Sequence, residues 1–296
     1  MIIFKKILWE IYIIVMKILV TGYTGQLGFD VVRELKARNI ECIGTTRNEF
    51  SLTDTERMKS FVKAYKPDVV IHCAAYTAVD KAEDEVELCD QINHLATKEL
   101  AKVCKEIDAK MIYISTDYVF AGSGEDFYEV NDEKAPQNVY GKSKLDGELA
   151  VQEILDKYFI VRISWVFGSN GKNFIKTMLN LAKNHDKLTV VNDQIGSPTY
   201  TVDLAKLLCD MALSDKYGVY HATNEGICSW YDFACEIFKQ ADIKINVEPV
   251  PSTAFPTKAK RPHNSRMSKK CLDEARFNRL PIWQDALSRY LQELNM

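Results

Sequence analysis

The sequence lacks the residue patterns that would indicate a metalloenzyme, a disulfide scaffold or a nucleic-acid-binding protein. Its eight cysteines form no Cys-x-x-Cys pair and its five histidines form no His-Glu-x-x-His motif, so we predict reduced thiols and no catalytic zinc. The formal net charge is −3 and no long basic run occurs, which argues against nucleic acid as the main partner. Cysteines that fall mostly inside apolar segments are typical of a cytoplasmic enzyme, and we expect that location.

Long hydrophobic runs are missing as well. Residues 1–15, MIIFKKILWEIYIIV, are apolar but contain two lysines and a glutamate, and the stretch is too short to span a bilayer comfortably. No small-residue cleavage site follows it. We therefore expect no membrane anchor. The segment is either a true extension, such as a docked helix, or the product of an upstream start codon, and we favour the second interpretation.

A glycine-rich loop follows the first predicted strand. Residues 18–20 form a short apolar run typical of a buried parallel strand, and apolar residues recur at helical spacing within 31–35. Between them lie Gly22, Gly25 and Gly28. This spacing is typical of a dinucleotide-binding loop, because glycines allow the close approach of a pyrophosphate and the helix N-terminus offers amides to it. The competing interpretation is an ordinary glycine-rich turn.

Three further strand patterns follow, at residues 40–45, 67–73 and 110–115, with helical patterns between them. This alternation predicts an α/β fold with a doubly wound parallel sheet of the Rossmann type. Ligands of such sheets bind beyond the carboxyl ends of the strands. Residues 73–77 and 115–117 each follow a predicted strand, so we expect both segments to face a cofactor and a substrate.

The second half of the chain predicts a smaller C-terminal α/β region that binds the substrate. We expect strands at 160–164, 188–191 and 217–222, helices at 174–181 and 202–213, a turn at 196–199, a helix cap at Thr201 and a capping-box start at Ser229. Low-complexity linkers and internal repeats are absent from the sequence. We therefore assign residues 16–165 mainly to nucleotide binding and 166–296 mainly to substrate binding, with the two regions interleaved across a cleft.

Tyr140 and Lys144 carry a clear chemical signal. Side chains four residues apart lie on one face of a helix, about 6 Å apart at Cβ. An ammonium about 4 Å from the phenol favours the phenolate by roughly 4 kcal/mol at an effective dielectric of about 20. Burial opposes ionisation, so we expect a Tyr140 pKa between roughly 7 and 9, which suits protonation of a ketone. The competing interpretation is a solvated helix face on which the tyrosine packs.

Several segments together resemble the dTDP-4-dehydrorhamnose reductase family of the extended short-chain dehydrogenases/reductases. They are TGYTGQLG, CAAYTAVDKAE, STDYVFAG, YGKSKLDGE, RISWVFG, NDQIGSPTYTVDLA and KAKRPHNSRM. The resemblance covers nearly everything from Met16 onward, and its most specific parts are DQIGSPTYTVDLA and RPHNSR. It implies reduction of dTDP-4-dehydro-β-L-rhamnose (dTDP-6-deoxy-L-lyxo-4-hexulose) to dTDP-β-L-rhamnose by hydride transfer from NADPH or NADH.

The resemblance also implies roles for individual residues. Tyr140 becomes the proton donor, Lys144 the residue that holds the nicotinamide ribose and lowers the tyrosine pKa, and Thr116 the hydroxyl that polarises the sugar carbonyl. Asp117 and Trp165 would also contact the nucleotide sugar. Residues expected at the cofactor are Gly22, Thr24, Gly25, Gln26, Leu27, Arg47, Ser51, Leu52, Ala74, Ala75, Tyr76, Thr77, Tyr140 and Lys144.

Charged residues indicate where phosphates bind. No acid follows the second predicted strand directly, whereas Arg47 does, so we expect NADPH to be accepted at least as well as NADH. The resemblance places RPHNSR over the nucleotide end of the cleft, and we expect Arg261 or Arg266 to clamp the diphosphate of the sugar.

Ser51 departs from the family, which usually has an aspartate there. Some relatives carry a structural magnesium at a dimer contact. Here we find no clear metal-ligand pattern, with Asp30 as the one candidate remnant, and a homodimer is compatible with the resemblance.

The sequence allows other interpretations of three site residues and of the function. Thr116 and Asp117 can be read as local capping or turn-forming side chains and Trp165 as a core aromatic. At the level of function, the competing hypotheses are another nucleotide-sugar reductase or epimerase of the same superfamily, and a non-catalytic relative such as the regulatory subunit of methionine adenosyltransferase. An epimerase would keep its NAD bound and need no added reductant.

Overall fold

A parallel six-stranded sheet forms the centre of the computed structural model, which describes residues 16–294 of the chain. The prediction for residues 1–15 lies outside them. The strands are β1 (Lys17–Thr21), β2 (Glu41–Thr45), β3 (Val69–His72), β4 (Lys110–Thr116), β5 (Tyr158–Ile163), β6 (Val166–Phe167), β7 (Lys187–Val191), β8 (Ile195–Gly196), β9 (Thr199–Tyr200), β10 (Gly218–His221), β11 (Cys228–Ser229) and β12 (Asn246–Val250). The central sheet has the order β10-β5-β4-β3-β1-β2.

Helices cover both faces of this sheet, which confirms the predicted doubly wound α/β fold. They are α1 (Gln26–Ala37), α2 (Thr55–Tyr65), α3 (Val79–Ala82), α4 (Val86–Asp90), α5 (Ala96–Glu106), α6 (Val139–Ile154), α7 (Phe174–Leu181), α8 (Thr201–Ala212), α9 (Trp230–Gln240), α10 (Lys270–Glu274) and α11 (Trp283–Leu294). A π-helical turn at Gln91–Leu95 joins α4 to α5, and 3-10 turns lie at Asp117–Val119 and Ser252–Ala254.

Alternation along the strands explains why the sheet has two cores. Ile18 and Val20 of β1 pack into the core that contains Leu204 of α8. Leu19 points to the opposite face and packs into the core that contains Met58 of α2. Neighbouring side chains of a strand point to opposite faces, and a sheet buried on both faces therefore reads as a continuous apolar run. The order of the strands reverses between β1 and β3, which leaves a crevice at their carboxyl ends.

The second half of the chain contributes to both layers of the molecule. Phe167, Phe233 and Trp283 belong to a separate core formed with α7, α9 and α11, beside the small paired strands β7–β12, β8–β11 and β6–β9. In contrast, β10 pairs with β5 in the central sheet and α8 packs against α1. The chain therefore interleaves the two regions, and the division near residue 165 stays a prediction.

Two local predictions in this half are wrong. The segment 196–199 is not a simple turn, because its ends belong to β8 and β9, which pair with different strands. Thr201 does not cap α8 but begins it, and Tyr200 occupies the capping position. The Thr201 hydroxyl instead donates to Asp30 Oδ2 at 2.5 Å and to the carbonyl of Phe167 at 3.2 Å. Thr201 therefore bonds groups that are distant in sequence and not the first turn of its own helix. The capping box at Ser229 is confirmed.

All eight cysteines lie in the described part of the chain and form no disulfide bond there. Among residues 16–294, no helix combines the length and the apolar character that crossing a membrane requires.

Candidate active site

A cleft of about 1610 Å³ follows the carboxyl ends of the central strands. Most of the residues predicted for the site line it. They are Gly22, Thr24, Gly25, Gln26, Leu27, Arg47, Ser51, Leu52, Ala74, Ala75, Tyr76, Thr77, Thr116, Asp117, Tyr140, Lys144, Trp165 and Arg261. Arg266 is not among the lining residues. The volume exceeds the several hundred Å³ typical of a pocket for one drug-sized ligand, so two ligands can lie side by side.

The glycine loop between β1 and α1 requires glycine at two positions. Gly22 has φ +73°, and a Cβ there would lie 2.8 Å from the backbone nitrogen of Ala74. A Cβ at Gly28 would collide with the carbonyl oxygen of Gly22. Helix α1 begins after Gly25, and no side chain among residues 16–294 caps its first turn. The amides of that turn are therefore available to a phosphate.

The second half of the chain braces this loop. Asn170 Nδ2 donates to the carbonyls of Thr24 at 2.9 Å and Gly25 at 3.2 Å. Gln26 Oε1 accepts from the amide of Gly168 at 3.0 Å and from Asn173 Nδ2 at 3.1 Å. Gln26 therefore lines the cleft while its side chain holds the two regions together, a contact that the sequence pattern did not reveal.

Arg47 lies exposed at the end of β2, at the edge of the cleft. The nearby acid, Glu49, turns away from the cleft, and its Oε2 accepts from the amide of Thr46 at 2.6 Å and from the Thr46 hydroxyl at 2.8 Å. These hydrogen bonds hold the pKa of Glu49 below its usual value. Ser51 bonds the hydroxyl of Thr53 at 2.8 Å. A cation and hydroxyl groups therefore face this end of the cleft.

Thr116, Tyr140 and Lys144 come together where β4 meets α6. Thr116 ends β4, Tyr140 lies in the first turn of α6, and Lys144 follows one turn later. Asn138 caps the helix by accepting from the amide of Gly141 at 2.7 Å. A Cβ at Gly141 would collide with the carbonyl of Tyr118, so the start of α6 lies directly against the turn after β4. The structure thus brings together a phenol, an ammonium and a hydroxyl predicted from separate motifs.

The ionisation of this group differs from the expectation. Burial raises the pKa of Tyr140 above its ordinary value, and hydrogen bonding to Thr116 opposes this only in part. Burial also lowers the pKa of Lys144 to about 7, with the carboxylate of Glu148 acting in the opposite direction. The predicted Tyr140 pKa of roughly 7 to 9 is therefore wrong for this structure. That prediction took Lys144 to be fully charged, whereas burial disfavours the charged form of this lysine.

Lys144 lies 2% exposed, with Nζ 4.0 Å from the centroid of the Tyr113 ring. Farther along α6, Glu148 forms a buried bidentate pair with Arg162 of β5, at 2.9 and 2.7 Å. Arg162 Nη1 also donates to the carbonyl of Val130 at 2.9 Å. This pair anchors the helix that carries Tyr140 and Lys144. No sequence motif indicated the pair.

Asn93, in the π-helical turn, is a buried residue that supports the site and that the sequence did not indicate. Its Oδ1 accepts from the amide of Tyr76 at 2.8 Å, and its Nδ2 donates to the Ser143 hydroxyl at 3.0 Å. Its carbonyl accepts from the hydroxyl of Thr97 at 2.8 Å. Asn93 thus ties the segment after β3 to α6. A π-helical turn displaces a backbone carbonyl from the helical ladder, and local sequence gives little sign of it.

His72 links the end of β1 to α5. It is buried, and burial lowers its pKa to about 3, so the ring is neutral at neutral pH. Nδ1 lies 2.7 Å from the Thr21 hydroxyl and Nε2 lies 3.2 Å from the Thr97 hydroxyl. Because Thr21 accepts from the amide of Ala74 at 3.1 Å, we assign its proton to His72 Nδ1 and the ring proton to Nε2.

Asp117 is buried between two hydroxyl groups. Its Oδ1 accepts from Thr116 at 2.9 Å and its Oδ2 accepts from Ser265 at 2.5 Å. Burial raises the pKa of Asp117 to about 6, and both hydrogen bonds oppose the rise. The Thr116 oxygen also accepts from the amide of Tyr118 at 3.3 Å. The local capping interpretation of Thr116 therefore holds together with its place in the cleft.

Trp165 lines the cleft and has an unusual backbone conformation. Its φ is +50°, a conformation that bulky residues rarely adopt outside constrained sites. The ring stacks on Trp230 with centroids 3.7 Å apart and 14° between the planes. Phe174 lies 4.7 Å from Trp230. Trp165 is thus part of an aromatic wall that faces the cleft rather than an enclosed core residue.

Arg261 and Arg266 occupy different surroundings. Arg261 lines the cleft, donates to Asp80 Oδ2 at 2.5 Å and donates to the Tyr118 hydroxyl at 3.0 Å. Arg266 Nη1 donates to Asn264 Oδ1 at 3.0 Å, and its carbonyl accepts from the amide of Tyr128. The isolated bridge between Tyr128 and Met267 holds this stretch. The structure therefore does not bring Arg266 to the cleft.

Neither candidate for metal binding has the features of a built site. Asp30 is buried, where Thr201 donates to it and Arg33 Nη2 lies 3.0 Å from its Oδ1. Asp90, His94 and Asp146 place ligand atoms within 4.8 Å of one another but are only half-buried. Acidic groups of this kind are common without a metal.

A glycine-rich loop after β1 and a buried tyrosine–lysine pair at the same edge of one parallel sheet are typical of an extended short-chain dehydrogenase/reductase. The family model described as RmlD substrate binding domain matches residues 16–296, and the chain belongs to this family. The dTDP-4-dehydrorhamnose reductase of Escherichia coli (strain K12) is 40% identical over an alignment that covers 94% of this chain and 98% of that protein.

Solved structures give the same result. A dTDP-4-dehydrorhamnose reductase from Clostridium acetobutylicum superposes with a TM-score of 0.93 at 43% identity, covering 95% of this chain and 100% of that chain. A dTDP-4-dehydrorhamnose reductase from Bacillus anthracis in complex with NADP has a TM-score of 0.91 at 40% identity, covering 94% of this chain and 99% of that chain.

Proposed function

We propose that this protein reduces dTDP-4-dehydro-β-L-rhamnose to dTDP-β-L-rhamnose by hydride transfer from NADPH or NADH, the last step of dTDP-L-rhamnose synthesis. The observation that carries this proposal is the meeting of Thr116, Tyr140 and Lys144 in the same cleft as the glycine loop. Membership of the family supports it, since relatives about 40% identical over nearly the whole chain bear the name of this activity.

The residues of the cleft fit a dinucleotide. Gly22 and Gly28 leave the space that a Cβ would fill, and the uncapped first turn of α1 offers amides to a pyrophosphate. Arg47 suits a 2′-phosphate, because its planar guanidinium bonds phosphate oxygens in pairs. The structure of the Bacillus anthracis relative with NADP supports this choice of cofactor.

Proton donation falls to Tyr140. Burial keeps its phenol protonated at neutral pH, and a protonated phenol is the state that a general acid requires. The bound nicotinamide supplies the hydride. Lys144 is the candidate to hold the nicotinamide ribose, since its ammonium is buried one helical turn from Tyr140. Thr116 keeps a hydroxyl beside the phenol. Together these groups orient and protonate the carbonyl oxygen of the sugar.

Arg261 is the candidate clamp for the diphosphate of the sugar nucleotide. It lines the cleft with its side chain 28% exposed, so a ligand can reach it. Arginine bonds phosphate oxygens through two parallel N–H groups. Asp117 and Trp165 also line the cleft and are candidates to contact the sugar. A homodimer stays a prediction.

A coupled assay tests the proposal. The purified protein is incubated with dTDP-4-keto-6-deoxyglucose, the 3,5-epimerase and NADPH, and the absorbance of the reduced nicotinamide is followed. We expect NADPH consumption that depends on the epimerase, with dTDP-L-rhamnose as product. Conversion of a nucleotide sugar without net consumption of NADPH would instead indicate an epimerase. A stable complex with a synthetase-like partner and no turnover of any 4-keto sugar would indicate the regulatory alternative.

A further inference from the structure

Ser265 lies outside the lining of the cleft but reaches the reacting groups through a buried carboxylate. Its hydroxyl donates to Asp117 Oδ2 at 2.5 Å, and the other oxygen of Asp117 accepts from the Thr116 hydroxyl at 2.9 Å. Ser265, Asp117 and Thr116 are 1%, 4% and 5% exposed. Tyr140 lies in the first turn of α6, which lies directly against the turn after β4, and Thr116 and Tyr140 both line the cleft. The hydrogen bonds therefore form a chain from a buried serine to the threonine that shares the cleft with the general acid.

The chemistry of these groups fixes the direction of each hydrogen bond. An ionised carboxylate only accepts, so both hydroxyl protons point to Asp117. Thr116 has one proton, and donating it to Asp117 fixes the rotation about its Cα–Cβ bond. The Thr116 oxygen is thereby held at one place beside Tyr140. Without Ser265, the carboxylate of Asp117 would lose a charge-assisted hydrogen bond and the constraint on its own orientation.

The backbone holds Ser265 where this contact requires it. Its amide donates to the carbonyl of Ile195 at 2.7 Å, and a Cβ at Gly196 would lie 3.0 Å from the Ser265 Cβ. The preceding residues are tied to the region after β4, since the amides of His263 and Asn264 both donate to the carbonyl of Gly122. Ser265 is therefore set against Asp117 from a segment 148 residues away in sequence.

We propose that Ser265 is a positioning residue of the reduction, which acts through Asp117 to hold the Thr116 hydroxyl against the phenol of Tyr140. The role rests on the proposed function, because Tyr140 is the acid of that reaction. It differs from binding of the substrate or cofactor, since Ser265 lines neither part of the cleft. Its loss should therefore lower kcat and leave the KM values for both substrates nearly unchanged.

A double-mutant cycle tests this role with the full chain. Ser265→Ala should lower kcat about tenfold, the kinetic equivalent of one lost hydrogen bond to a charged group. The KM values for NADPH and for the dTDP sugar should change less than about twofold. In a Thr116→Val background, adding Ser265→Ala should lower kcat less than about twofold further, because the group through which it acts is already gone.

Two further variants separate positioning from folding. Ser197→Ala is the matched control, since Ser197 is fully buried, lies outside the cleft lining and donates to the carbonyl of Gly226 at 2.6 Å. It should keep the wild-type kcat. Ser265→Thr retains the hydroxyl donor and should keep at least about a third of the wild-type kcat. This rescue separates positioning from folding if the alanine variant folds poorly.

Other results would overturn the proposal. Three results would assign Ser265 a purely structural role. They are a wild-type kcat in Ser265→Ala, an equal loss of kcat when Ser265→Ala is added to the Thr116→Val background, and an effect confined to the KM values. Turnover by the wild-type protein tests the proposed function, whereas the ratios among the variants test Ser265, so the two fail separately.

Discussion

Arg261 and Asp80 form an ion pair at the mouth of the cleft, with Nη2 2.5 Å from Oδ2. The pair joins the segment after residue 257 to α3, and the amide of Ala259 donates to the same aspartate at 3.1 Å. Lys258 pairs with Asp84 beside it. Arg261 is therefore already oriented in the cleft before a ligand arrives, which reduces the entropy that a clamp must lose on binding.

Arg261→Ala should weaken binding of dTDP by roughly 1.5 to 3 kcal/mol, the scale of hydrogen bonds to a charged group. Binding of NADPH should not change, because the site proposed for that ligand is Arg47 and the glycine loop. Calorimetry with each ligand measures both effects. Arg266→Ala is the matched control and should bind both as the wild type does.

A second variant shows whether Arg261 binds the diphosphate or only holds its own segment in place. Asp80→Asn removes the ion pair but keeps the Arg261 guanidinium, so dTDP affinity should stay within about threefold of the wild type if Arg261 contacts the diphosphate. Equal losses in Asp80→Asn and Arg261→Ala would mean that Arg261 only holds the segment in place.

Tyr140→Phe should lower kcat by roughly 10²- to 10⁴-fold, because it removes the proton donor and retains the ring. The affinity for NADPH, measured by fluorescence titration, should change little. Retention of more than about a third of the wild-type kcat would exclude Tyr140 as the acid.

Lys144 should make the stability of the free protein depend on pH. Its pKa falls from 10.5 to about 7 on folding, so between these values the unfolded chain binds more protons than the folded one. The free energy of unfolding then rises with pH, by up to about 1.4 kcal/mol per unit for one group.

Lys144→Met removes this contribution. The difference in unfolding free energy, wild type minus Lys144→Met, should therefore grow between about pH 7 and about pH 8.5, as measured by urea denaturation. A difference independent of pH would contradict the lowered pKa. The same variant should lose turnover in the coupled assay. It should also lose NADPH binding in a fluorescence titration.

Arg47→Ala should raise the KM for NADPH more than the KM for NADH, because only NADPH carries the 2′-phosphate that a guanidinium can bond. NADH serves as the internal control, since general damage to the cleft would raise both values. Equal increases for the two cofactors would assign Arg47 to the solvated surface of β2.

The sequence alone determined the features that repeat locally along the chain. Apolar runs predicted β1 to β4 because strands buried on both faces have no polar alternation. Gly22 and Gly28 could be recognised because only glycine fits where the backbone approaches itself. Tyr140 and Lys144 shared a face because helical spacing requires it. Ser229 began α9 because its capping box involves residues three apart.

Tertiary structure decided what depends on burial and on distant partners. Thr201 bonds Asp30 rather than its own helix, since the aspartate is brought to it from 171 residues away. The pKa of Tyr140 rises because desolvation outweighs the influence of a lysine whose own charge is reduced by burial. Ser265 meets Asp117, and Arg261 rather than Arg266 reaches the cleft, through the path of a long C-terminal segment. Solvent exclusion and contacts between distant segments arise only when the chain is folded, so no local pattern encodes them.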